Sequence, residues 1–183
     1  MALGTFGVGP YTSTFNTSGA SGSPAGKTAG SRSLGLVENV ITLSRSVEGE
    51  DIVADVYGKT VIDGIYQGGQ TFVSMIFKEW TIQVQDALWP FGGDSGDFGR
   101  VGTAGLLMTD LAGILTLTAV AGTPAASSGV GPSPIVFHAA IISPGHNFDV
   151  PFGSTQRHVP IVFRCYPTIQ STILRWFTAT TPA

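Results

Sequence analysis

The chain contains a single cysteine, Cys165. That excludes an intrachain disulfide framework and any zinc site built from paired cysteines. Charge is scarce too: 11% of the 183 residues are charged, against a usual share of ~25%. Nine basic and twelve acidic residues leave a net charge of −3. This balance argues against a DNA binder, which needs a basic stripe to displace counterions from phosphates. Long apolar runs are missing. The stretch at residues 113–122 reaches about ten residues, well short of the ~20 that span a bilayer as a helix. Residues 1–15 lack the basic leader and apolar block of a signal peptide, so the expected compartment is the cytoplasm of the producing cell.

What is present is apolar and glycine-rich: 43% hydrophobic residues and 25 glycines. Hydropathy of this level excludes disorder of the whole chain, and the length suits one domain with a real core. A monomer ordinarily keeps itself soluble with a charged, patch-free surface. So few charges therefore lead us to expect that much of the surface is covered by copies of the same chain.

Residues 1–35 stand apart, being dominated by glycine, serine, threonine and alanine, with Lys27 and Arg32 as their only charges. Too few bulky groups are present to offset the entropy of ordering. Two readings stay open, a flexible tail or an arm ordered on a neighbouring subunit. In the second, Phe6, Tyr11 and Phe15 are the anchors. Residues 36–183 form the expected body. Alternation over residues 36–47 predicts a half-buried strand, with Val37, Ile41, Leu43 and Val47 on the apolar side. A turn is expected at Glu48-Gly49-Glu50, a second strand over 51–57, a break at 66–70 and a further strand over 71–79. Short helices are expected over 81–88, stopped by Pro90, and over 104–111. Strands follow at 114–121, 135–143, 159–166 and 172–178. About seven strands with frequent Gly/Pro turns predict an all-β sandwich or barrel.

No catalytic constellation is found. The segment 21–28 resembles a phosphate loop but has Ser21 where the first glycine belongs, and no buried strand precedes it. Asp97-Phe98-Gly99 has no accompanying catalytic loop, and Gly93-Asp94-Ser95-Gly96 misplaces the glycines of a nucleophile elbow. His138, His146 and His158 have no metal-ligand spacing. Asp94 and Asp97 are too few for a calcium cage, and Cys165 reads as a buried inert thiol. The expectation is a non-enzyme without cofactor or metal.

Residues 48–69 are more distinctive: Glu48, Glu50, Asp51, Asp55 and Asp63 accompany one base, Lys59. A solvated acidic hairpin is one reading. The other is a negative surface past which nucleic acid moves without sticking. Gly58, Gly64, Gly68 and Gly69 flank Tyr57 and Tyr66, a composition suited to an extended loop that presents rigid aromatic anchors to a partner.

Here the sequence resembles the tail tube (major tail) proteins of tailed bacteriophages. The residues carrying the likeness are Asp55-Val56-Tyr57-Gly58, the segment Ile62-Asp63-Gly64-Ile65-Tyr66 with Gly68-Gly69, and the strand over 71–79. Leu88-Trp89-Pro90-Phe91-Gly92 and Arg175-Trp176-Phe177-Thr178 add to it. In that family an acidic segment precedes a strand ending in an acidic residue, and the matching positions are Asp55, Gly58, Asp63 and Glu79. The likeness spans roughly residues 35–180.

The resemblance implies a β-sandwich or barrel subunit with a flanking helix, closing into hexameric rings that stack into a tube for DNA. The partners implied are the chain itself and other tail proteins such as the tape measure, terminator and baseplate. DNA would pass without specific binding, no membrane would be involved, and the location would be the virion tail. Stacking contacts would be heterologous and would propagate as a filament. Candidate interface residues are Asp55, Tyr57, Gly58, Asp63, Tyr66, Gly68 and Gly69, and Glu48, Glu50 and Asp51 are candidates for the lumen. Alternatives are a tail terminator, a head–tail adaptor, a capsid decoration protein, or a monomeric carbohydrate-binding module using Trp80, Trp89 or Trp176 as a stacking platform.

Overall fold

Thr71, Val73, Met75 and Phe77 are buried, whereas Phe72, Ser74 and Ile76 between them are half-buried. This two-residue period recurs along most central strands and sends one side chain in two into a common core. The structure, a computed structural model, describes residues 11–16, 31–35, 37, 41–54, 60–92, 99, 101–102, 104–119, 134–147, 149–153 and 158–179.

The strands are β1 (Tyr11–Asn16), β2 (Ser31–Ser33), β3 (Thr42–Ala54), β4 (Thr60–Phe77), β5 (Gly113–Ala119), β6 (Ile135–Ile142), β7 (Val159–Cys165), β8 (Thr168–Gln170), β9 (Ile173–Arg175) and β10 (Phe177–Ala179). The main sheet runs β2-β1-β5-β6-β7-β4-β3, and every pairing in it is antiparallel. Phe15 of β1 stacks on Phe163 of β7 with ring centroids 5.9 Å apart, although β5 and β6 lie between them. In a flat sheet those strands would stand ~14 Å apart. The sheet is therefore curled around its core, and the fold is all-β, as the sequence predicts.

Two short helices complete the core. In α1 (Ile82–Leu88) the Thr81 side chain caps the first turn by accepting from the Val84 amide at 3.3 Å. Val84, Ala87 and Leu88 are buried in the core, and Pro90 follows the last turn. The second, α2 (Met108–Leu111), is shorter than expected. Gly105, at φ +88, has a left-handed backbone that a helix starting at 104 could not contain. Both helices lie against β6, whose residues Ala139–Ile142 are buried without alternation.

Four further expectations change. β3 runs straight through Glu48-Gly49-Glu50, and β4 runs through the predicted break at 66–70. The irregularity is absorbed as bulges: the partners of β3 skip Gln67 and then Ile62. Gly68, at φ +138, supplies the backbone this needs, and a Cβ on Gly69 would collide with the Ser46 carbonyl oxygen. The strand expected over 172–178 is interrupted at Trp176, and its halves pair with different strands. Finally, the described parts of residues 1–35 belong to this chain's own sheet. β1 pairs with β5 over its full length, and Phe15 and Leu34 are buried in the core, so Phe15 is not an anchor for a neighbour. Small β-branched residues around one phenylalanine suffice for a strand once β5 supplies its partner.

Candidate assembly interface

β7 pairs with β4 only from Thr71 onward. Beyond that point the β3–β4 pair leaves the sheet as a two-stranded ribbon, residues 46–54 against 60–70. At ~3.3 Å per residue the ribbon projects about 30 Å. Nearly all its residues are exposed, including Val47 at 77% and Tyr66 at 62%. Among the described residues no third strand is paired with residues 46–54 or 61–70, and a two-stranded ribbon has no core of its own.

Cross-strand partners share a face and successive residues alternate. Val47/Gly69, Gly49/Tyr66, Asp51/Gly64 and Val53/Val61 are therefore on the face continuous with the core side of the sheet. The opposite face carries Ser46/Gln70, Glu48/Gly68, Glu50/Ile65 and Ile52/Asp63. On it Gln70 donates to Glu48 at 2.9 Å and Gln67 donates to Glu50 at 2.8 Å, two amide–carboxylate brackets across the bulge. Glu48 and Glu50 thus stand together, while Asp51 is on the other face. The three candidate lumen carboxylates do not form one row.

Of the candidate interface residues, Asp63, Tyr66, Gly68 and Gly69 all belong to β4. Asp63 is exposed and accepts from the amide of the next residue of the same strand, Gly64, at 2.8 Å. Asp55, Tyr57 and Gly58, between the two ribbon strands, lie outside the described residues, as does Phe6. Tyr11 contributes its backbone to β1, opposite Ala119.

A second projecting element has no counterpart in the sequence reading. After Cys165 the chain leaves the sheet at the end from which the ribbon emerges, because β7 is antiparallel to β4. It forms the β8–β9 hairpin, then returns as β10 to pair with β6 at Ile135–Phe137, in line with β7 at Ala140–Ile142. The hairpin turns at Ser171 (φ 49) and Thr172 (φ 72). Two successive left-handed residues are the geometry of a two-residue hairpin turn, normally assigned to Asn-Gly or Asp-Gly. Without those residues the turn left no sequence signal. Ile169, Ile173 and Leu174 are all exposed, Ile169 at 73%.

The other side chains singled out in the sequence are engaged internally. The Arg45 guanidinium carbon lies 4.9 Å from the Trp176 ring centroid, Trp89 packs edge-on against Phe91, and Trp80 packs against the core. His138 shares a 3.0 Å hydrogen bond with Thr178 across the β6–β10 seam, and burial lowers its pKa. His146 donates to the Pro160 carbonyl at 3.2 Å. Burial pushes the Cys165 thiol up to about 12. Among the described residues no three His, Cys, Asp or Glu side chains converge as a metal site, and no helix is long and apolar enough to cross a membrane. No family model matches the chain, and no curated protein matches it in sequence.

Proposed function

We propose that this chain is a structural virion protein of a tailed phage, whose copies form stacked rings of a tail tube that conducts DNA during ejection. The observation that carries this reading is the exposed β3–β4 ribbon, a long projecting two-stranded element with exposed apolar side chains on a chain with few charges. In water such an element is an aggregation hazard unless other copies cover it in a defined way. Ordered self-assembly supplies that cover. Tyr57 and Tyr66 serve as the ring-to-ring anchors, and the net negative charge of the chain disfavours retention of DNA.

The test is negative-stain electron microscopy of the purified protein and of a Tyr57→Ala/Tyr66→Ala variant. The wild type is expected as rings and stacked tubes, and the variant as rings or smaller species. Tubes of normal length from the variant would reject the ribbon as the stacking element. Single rings from the wild type would favour an adaptor or terminator.

A further inference from the structure

Charge is segregated along this chain. Residues 46–70 hold five of its twelve acidic residues and one of its nine basic residues. Residues 151–183 hold three arginines and no acidic residue. The segregation reaches the two projecting elements. On the ribbon, Glu48 and Glu50 share a face with the exposed Ile52 and Ile65, and among the described residues their hydrogen-bond partners are neutral glutamine amides. On the hairpin, Arg175 and Ile173 share a face, two residues apart on β9 opposite Thr168 and Gln170. Both are exposed. Each element thus presents aliphatic side chains beside charge of one sign, and the signs are opposite.

We propose that the β8–β9 hairpin receives the β3–β4 ribbon of a second copy of this chain, with Arg175 meeting Glu48 and Glu50 while Ile173 packs against Ile52 and Ile65. This inference rests on the self-assembly reading and adds the surface that accepts the ribbon. Both elements leave the sheet at the same end, so the contact joins neighbours side by side. It is heterologous, ribbon to hairpin, and an arrangement of this kind closes into a ring when its rotation permits. Apolar contact supplies affinity, and opposed charge sets partner and register.

Charge reversal tests the pairing. Sedimentation velocity is run on the wild type, on Arg175→Glu, on Glu48→Lys/Glu50→Lys, on a 1:1 mixture of these two variants, and on Lys78→Glu as a control away from both elements. Circular dichroism confirms that each variant is folded. Each reversal is expected to weaken self-association at least about tenfold, and the control is expected to match the wild type. The mixture is expected to regain association, because each reversed surface finds its complement on the other variant. Wild-type association by either reversed variant, or a mixture no better than its components, would overturn the hairpin contact while leaving self-assembly intact. A wild type that stays monomeric throughout would overturn both.

Discussion

The guanidinium of Arg45, at the root of the ribbon, stacks over the ring of Trp176, the residue that separates the β8–β9 hairpin from β10. One contact therefore ties together the two elements that project from the same end of the sheet. A double-mutant cycle with Arg45→Ala and Trp176→Ala should give a coupling of about 0.5–1 kcal/mol in chemical denaturation, as for a partly exposed cation–π pair. Hydrogen exchange should rise together at the ribbon root and in β10 when either partner is removed. Independent responses of the two segments would show that they are not mechanically joined.

Phe15 is a core residue, stacked on Phe163 and 3% exposed. Phe15→Ala should cost about 3–5 kcal/mol, read as a fall in the denaturation midpoint. Deleting residues 1–35 should be worse, because it removes β1 and exposes the edge of β5. A truncated protein as stable as the full chain would mean that this segment is dispensable.

Gly69 tests the ribbon's geometry. Its position leaves no room for a methyl group beside the Ser46 carbonyl, so Gly69→Ala must shift the pairing of β3 with β4. A loss of about 1–3 kcal/mol is expected, with faster exchange of ribbon amides and little change in the core strands. Unchanged exchange would contradict the close approach.

Much of the fold can be read from residue order, and the exceptions have physical causes. The strands over 135–142 and 159–165 are nearly continuous apolar or alternating runs, and the Thr81 cap and Pro90 bracket α1. Gly68-Gly69 reads as a break because glycine serves turns and bulges alike, and only the partner strand distinguishes them. Residues 11–16 are mostly small and polar, and the contacts of Phe15 are visible only once β5 and β7 are in place. The acidic character of the ribbon was legible. Its division between two faces depends on register, which composition does not encode.

Cys165 makes stability depend on pH. Burial raises its pKa from 9.0 to about 12 in the folded protein. The folded state binds the thiol proton more tightly than the unfolded chain does, so this contribution is complete below pH 9 and is lost as pH rises toward 12. Within that window the slope is about 1.4 kcal/mol per pH unit. Cys165→Ser or Cys165→Ala should remove the slope, and an alkylating reagent at pH 8 should label the native thiol only at the rate of unfolding. Rapid native-state labelling would contradict its burial.

The proposed cover of each copy of this chain by its neighbours can be measured by sedimentation velocity of the wild-type protein over a series of loading concentrations. The 19.0 kDa chain is expected to give way to discrete larger assemblies as concentration rises. A single species of monomer mass at every concentration would contradict that cover.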